Sequence, residues 1–283
     1  MSGNLYVCAT PIGNLKDITL RCLDILSEVD LIAAEDTRHT IKLLNHYNIK
    51  TPLESYHEHN KDTKGKKLIN ILLEGKNIAL VSDAGMPGIC DPGEDLIKLC
   101  YENNINVSVL PGATASVTAL ILSGIKTRSY CFEGFLPSNK KMKQEVIKRL
   151  KNDNRTYILY EAPHHLLQTI KDIYKEIGNR NISIIKELTK KYENVFKTNL
   201  TDAIAFFEEN EPKGEYVLVI EGASEEDIEN SQKEELDKIS IKEHLDKYIL
   251  SGLDIKEAMK KVAKDRGISK RDVYNEIKIK NKD

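Results

Sequence analysis

The stretch "NIALVSDAGMPGICDPGEDLIKLC" (77–100) decides how this chain is read. Its apolar start, "NIALV", reads as a buried strand, and "GEDLIKLC" opens a helix. Between them, three glycines and two prolines crowd into residues 82–93. Such a turn leaves backbone bare where side chains would otherwise fill space. A strand that runs through a turn into a helix is the repeating unit of a parallel sheet. In an open parallel sheet, the turns at the strand ends line one crevice, the usual place for a ligand.

The same unit recurs on both sides of that stretch. Strands are predicted at 4–10, 30–36, 53–56, 77–83 and 105–111. Helices are predicted at 18–29, 37–48, 63–74, 93–102 and 113–124. The pattern predicts an α/β fold with a mainly parallel N-terminal sheet. Beyond residue 124 the order is less regular: strand 128–136, helix 138–152, strand 155–162, and a helix from 163 that opens on Pro163. Two consecutive strands follow, "NISIIKEL" and "YENVFKTN", which read as a hairpin, then a short helix and a last strand at 215–222. This predicts a second α/β lobe with a mixed sheet. The division is therefore 1–124 for the first lobe and 125–223 for the second. The charged stretch at 224–239 is expected as a flexible linker or surface segment, and 240–283 as a small helical extension resembling a helix-turn-helix.

Composition narrows the classes. The net charge of −2 carries no global basic signature, so a nucleic-acid partner would have to be met by a local patch. The helix at 140–151, with Arg155, is one such patch. From Ile241 to Asp283, 12 Lys and Arg face 8 Asp and Glu, a mild excess that a solvated bundle also explains. Five cysteines without a Cys-x-x-Cys pair predict reduced thiols, mostly buried. The start lacks a basic, then apolar leader, and no run approaches the roughly 18 apolar residues of a membrane span. A soluble, cytoplasmic protein is expected.

The usual phosphate cradles, G-x-G-x-x-G after the first strand and G-x-x-x-x-G-K-[ST], are absent, as is the G-x-S-x-G hydrolase elbow. The pairs His57/His59 and His164/His165 have poor spacing for a metal, and no metal site is expected. What remains is five polar loops at predicted strand ends: 9–18, "AEDTRHT" (34–40), 55–62, 82–93 and "LPGATA" (110–115). One Gly-rich loop would only shape a turn. Five, each mixing small residues with Asp, Thr, His or Asn, point to a site.

The stretches "TPIGNLKDIT", "DLIAAEDTRHT", "HEHN", "ALVSDAGMPGICDPG", "LPGATA", "FEGFLP" and "YEAPHHLL" run in order from about 10 to 167, with "GEYVLVIEG" (214–222) extending them. In these the chain resembles a family of ribosomal small-subunit RNA methyltransferases. They methylate the ribose 2′-oxygen of a cytidine in the decoding region. They belong to the tetrapyrrole-methylase-like class of S-adenosylmethionine enzymes, whose porphyrin-modifying members lack "AEDTRHT" and "HEHN".

The resemblance implies S-adenosylmethionine in the cleft between the lobes. Its expected contacts are Pro11 and Gly13, Ser82, Asp83, Ala84 and Gly85, then Gly112, Thr114 and Ala115, and Ala162 from the second lobe. Asp83 is expected to hydrogen-bond a ligand donor; capping its own turn is the alternative. The candidates for taking the hydroxyl proton are Glu35, Asp36, His57 and His59, left unranked. Arg38 and Asn60 are candidates to meet phosphate or base edges. Ribosomal RNA, within the small subunit, is the implied partner, and a homodimer the implied assembly. Rival readings are a methyltransferase acting on a tetrapyrrole and a non-catalytic RNA-binding ribosome-assembly factor.

Overall fold

The computed structural model describes residues 2–279. Strands β1 (Asn4–Cys8), β2 (Leu31–Ala34), β3 (Leu53–Ser55), β4 (Ile78–Val81) and β5 (Asn106–Leu110) form one sheet, ordered β3-β2-β4-β1-β5. Every pairing in it is parallel; Leu5 lies opposite Ile78 and Val107, and Ala34 opposite Val81 and Ser55. Helices α1 (Leu20–Glu28) and α2 (Thr37–His46) cover one face, and α3 (Lys61–Leu73) and α4 (Gly93–Glu102) the other. Strand side chains alternate between the two layers. Leu5, Val7, Ile78 and Leu80 pack with Leu68, Leu72 and Leu96, whereas Cys8, Ala79 and Val81 pack with Cys22, Leu26 and Leu44. A strand buried on both faces needs an unbroken apolar run, which is why "IALV" shows no alternation.

Right-handed crossovers send the chain toward β3 by one face and back toward β5 by the other. The loops after β1 and β4, neighbours in the sheet, therefore depart toward opposite faces, and this switch point is the usual place for a ligand.

Helix α5 (Ala115–Ser123) leads to the second sheet: β6 (Tyr130–Phe135), β7 (Thr156–Glu161), β8 (Asn181–Lys186), β9 (Asn194–Asn199) and β10 (Tyr216–Ile220), ordered β6-β7-β10-β8-β9. Only β6 and β7 run parallel, and β8 and β9 form an antiparallel hairpin. Helices α6 (Lys140–Leu150), α7 (Pro163–Ile177) and α8 (Leu200–Glu209) cover one face. The other face is covered by α5, whose Ala119 and Leu120 pack with Ile158, Ile185 and Val219. Helix α5 thus precedes the 124/125 division and yet packs on the second sheet.

Residues 224–239, read from composition as a flexible linker, are largely helical. Ser224 and Asp227 close a capping box at the start of α9 (Glu225–Asp237). Helices α10 (Ile241–Leu250), α11 (Ile255–Arg266) and α12 (Lys270–Ile279) then bury Leu245, Met259, Val262 and Val273 in a core of their own. Arg266 reaches back from that bundle to the carbonyls of Leu236 (2.8 Å) and Ile239 (2.7 Å), past the end of α9. Of the cysteines, Cys8, Cys22 and Cys100 are buried, Cys131 is partly buried and Cys90 is exposed; all are reduced. Among the described residues, no helix is long and apolar enough to cross a membrane.

Candidate active site

All five parallel strands end on one edge, and the loops they launch are tied to one another. Thr10, after β1, and Gly85, after β4, exchange two backbone hydrogen bonds (2.9 and 3.1 Å), which continues the sheet as an isolated bridge. The Thr10 hydroxyl donates to the Ser82 carbonyl at 3.1 Å, and the Ser82 hydroxyl to that of Gly85 at 3.3 Å. Gly85 has φ +82°, in the left-handed region, so a side chain there would be strained. Further along the turn, the Asp91 carboxylate accepts from the N–H groups of Gly88 (2.9 and 3.0 Å) and Gly93 (2.8 Å). Sequence reasoning missed Asp91. Its signal was an Asp between two glycines, the pattern of a side chain that closes its own turn. After β5, a Cβ on Gly112 would lie 2.6 Å from that of Ala9, so this loop is pressed against the β1 loop.

Three acidic residues interlock above β2 and β4. Glu35 accepts the Asp83 N–H at 3.3 Å, and Asp83 in turn accepts the Asp36 N–H at 3.1 Å. Asp83 therefore locks two loops together rather than capping its own turn. Asp36 caps α2 by accepting the Arg38 N–H (2.8 Å) and pairs with the Arg38 guanidinium at 2.7–3.2 Å. The environments push the carboxyls apart. Burial raises that of Glu35 above its ordinary range, only partly offset by the Asp83 N–H. The Arg38 side chain, followed by its N–H, lowers that of Asp36 to about 2. Arg38 itself is 89% exposed.

One strand over, after β3, Asn60 holds the histidine loop. Its Oδ1 accepts the His57 N–H at 2.9 Å, while its Nδ2 lies 3.3 Å from the Ser55 carbonyl and 3.1 Å from His57 Nε2. Asn60 is engaged locally, and its backbone begins α3 without a side-chain cap. His59 is exposed, with its ring 6.0 Å from that of His57. His57 Nδ1 is buried and has no partner among the described residues.

The second lobe closes the other side. Ala162 opens α7, and its N–H is held by Glu161 at 2.9 Å. Tyr160 packs edge-on between Phe132 (4.9 Å) and Phe135 (5.6 Å) and hydrogen-bonds Ser116 at the start of α5. Phe135 stays 59% exposed. A Cβ on Gly13 would strike Leu188, Thr189 and Lys190 in the β8–β9 turn. In that turn Glu187 and Thr189 hold φ values of +52° and +64°. Non-glycine residues rarely hold such angles, and strain of this kind concentrates at sites. Tyr160, Ser116 and this turn were also missed from sequence, since each gains its role only when the lobes meet. Pro11 and Ser82 line a recess of about 130 Å³ with Thr10, His39 and Asp83. Ala84 is exposed; Thr114 and Ala115 are half-buried where α5 begins, and the Thr114 carbonyl accepts the Thr118 hydroxyl.

The assembled edge offers carboxylates, close-packed glycines and an aromatic wall. It suits a ligand that carries positive charge and an aromatic body better than one that must be gripped by its phosphates. Among the described residues, no cluster of three or more His, Cys, Asp or Glu could hold a metal ion.

The fold is shared with solved structures of low sequence identity. The methyltransferase CobJ superposes with a TM-score of 0.60 at 17% identity, over 78% of this chain and 95% of that one. Diphthine synthase gives 0.58 at 15% identity, over 78% and 90%. The sequence model of the tetrapyrrole (corrin/porphyrin) methylases matches residues 4–204, and the chain belongs to that family. Among its relatives, the Halalkalibacterium halodurans protein named ribosomal RNA small subunit methyltransferase I is 50% identical over 96% of this chain and 94% of its own. The Bacillus subtilis protein of the same name is 46% identical over 98% and 95%. That of Thermotoga maritima is 45% identical over 78% of this chain and 99% of its own length.

Proposed function

We propose that the protein transfers a methyl group from S-adenosylmethionine to the ribose 2′-hydroxyl of a cytidine in the decoding region of small-subunit ribosomal RNA, as a cytoplasmic homodimer. Relatives at 46–50% identity that carry a small-subunit RNA methyltransferase name support the substrate class. The observation that carries the chemistry is Glu35: a half-buried carboxyl with a raised pKa, at the tip of β2 and tied to the loop after β4.

S-adenosylmethionine would be held by Pro11, Gly13, the 82–85 turn, Gly112, Thr114, Ala115 and Ala162, and it supplies a methyl group on a sulfonium that needs no further activation. The close-packed glycines and the carboxylates at this edge fit such a group. Glu35 receives the hydroxyl proton: desolvation makes its carboxylate a stronger base than an exposed one, and such a base contributes about 10²–10⁴-fold. Asp36, at about 2, is a poor proton acceptor and instead fixes Arg38. The exposed Arg38 guanidinium then offers its free edge to an RNA phosphate. Asn60 holds the backbone of His57, so that loop stands ready beside the carboxylates.

Methyl-labelled S-adenosylmethionine and assembled small ribosomal subunits from cells lacking this activity test the reading. Alkali does not cleave beside a 2′-O-methyl ribose, so the expected result is label in an alkali-resistant dinucleotide containing cytidine. Label released as mononucleotides, or no transfer to subunits or bare RNA, would overturn it.

A further inference from the structure

A wide, open cavity of about 520 Å³ lies away from the loop edge, between β6, the end of α6 and α9. Arg149 and Arg155 line it together with Glu133, Asp153, Asn152 and Asn154, and Ile228 of α9 supplies an apolar contact. Both arginines are pre-positioned by an acid. Arg155 forms a two-pronged pair with Asp153 (2.6–3.0 Å), which the Tyr157 hydroxyl also reaches at 2.7 Å, and Arg149 meets Glu133 at 3.3 Å. Glu133 is the extra residue of a β-bulge in the edge strand β6, the kind of irregularity that re-aims a side chain. The guanidinium groups keep free edges, for the two side chains are 61% and 45% exposed. The side-chain amides of Asn152 and Asn154 have no partner among the described residues.

Fixed guanidinium groups beside unengaged amides and an aliphatic wall form a chemical set for one nucleotide: phosphate on arginine, base edge on carboxamide. Helix α6 connects this cavity to the cleft. Its first turn follows the C-terminal end of β6, at the cleft, and its last turn reaches the cavity about 16 Å away at 1.5 Å per residue. Lys140, Lys141, Lys148 and Arg149 are exposed along it, against one exposed acid, Glu145.

Building on the proposed RNA substrate, we infer that this cavity binds an unpaired nucleotide of that RNA, several nucleotides from the methylated one, with α6 as the phosphate track between them. The site would position the strand and take no part in methyl transfer. The probe is a mixed-sequence 12-nucleotide single-stranded RNA, measured by fluorescence anisotropy over a range of salt. Asn152→Ala/Asn154→Ala should weaken binding about tenfold, as expected for losing a base-edge contact. Arg149→Ala should make the slope of log K against log salt shallower by about 0.7, one phosphate contact on a single strand. In methylation of assembled subunits, KM should rise with kcat held. Affinity for S-adenosylmethionine and melting temperature should match the parent for both variants, which excludes a folding defect. RNA affinity and salt slope unchanged in folded variants, or no RNA binding by the parent, would overturn the inference. Weakened RNA binding in variants of a protein that nevertheless fails to methylate subunits would uphold this cavity and defeat the proposed reaction instead.

Discussion

The two sheets are built from similar strands, yet they put their loops to different use. In the first, every strand is parallel, so all five C-terminal ends open on one edge, where loops distant in sequence lock together: Thr10 with Gly85, Glu35 with Asp83, Asp83 with Asp36. In the second, antiparallel pairing sends successive loops to opposite ends. That sheet brings the ends of β6 and β7, with Phe135, Tyr160 and Ala162, and the β8–β9 turn to the cleft. Parallel pairing concentrates chemistry; mixed pairing supplies a wall. Substitutions on the first edge should therefore cost the rate of methyl transfer, and those on the far side of the second lobe should leave that rate unchanged.

The largest expected effect is at Glu35. Glu35→Gln keeps an oxygen to accept the Asp83 N–H but removes the base, and should slow methyl transfer by about 10²–10⁴-fold with cofactor affinity unchanged. The parent's rate should fall as pH drops through the raised Glu35 pKa, and that limb should vanish in the variant. Stability should move the other way. A carboxyl raised by burial contributes stability that is complete below its ordinary value of 4.5 and lost as pH rises through the raised value. At neutral pH the glutamine variant should melt higher than the parent, in a scan by circular dichroism. A variant with full activity would break the comparison at its strongest point.

A smaller effect is expected at Gly112. An alanine there would put its Cβ 2.6 Å from that of Ala9, so one of the two loops must move. Displacement of about 1 Å near reacting groups costs up to roughly 10²-fold in rate. Combining Gly112→Ala with Ala9→Gly removes the opposing methyl and should restore most of the loss in a steady-state assay. Failure of that rescue would mean that Gly112 matters for a reason other than packing against β1's loop.

Much of this layout was legible because strand and helix periods are local properties. "IALV" and "EYVLVIEG" announce buried strands, and "TDAIAFFEE" a helix. Partnerships across long separations were not legible. Nothing near Asp83 says that its carboxylate will meet the N–H of Asp36, 47 residues earlier. Nor does the apolar α5 reveal on which of two sheets it will lie, since its residues suit either. The stretch 224–239 misled for another reason. Its charge density argued for a flexible chain, while the signal for a helix, Ser224 three residues before Asp227, is one local pair of reciprocal bonds that composition averages away.

The smallest effect expected is at Gly178, which ends α7 with φ +74° and has nothing within 4 Å of where a Cβ would stand. Gly112 and Gly178 are thus opposite cases of the same residue type. One is required by a neighbour, the other by its own backbone angle. For Gly178→Ala the only cost is forcing a Cβ into a backbone conformation, φ +74° and ψ −163°, that is essentially reserved for glycine, about 1–3 kcal/mol. In a chain of this size each kcal/mol lowers the melting temperature by roughly 2–4 °C. The turn it shapes lies beyond α7, whose opposite end begins at Ala162, so the rate of methyl transfer and the affinity for S-adenosylmethionine should equal the parent's. A drop in rate at constant cofactor affinity would show that strain at the far end of α7 reaches Ala162 along the helix, and the second lobe would then take part in methyl transfer itself.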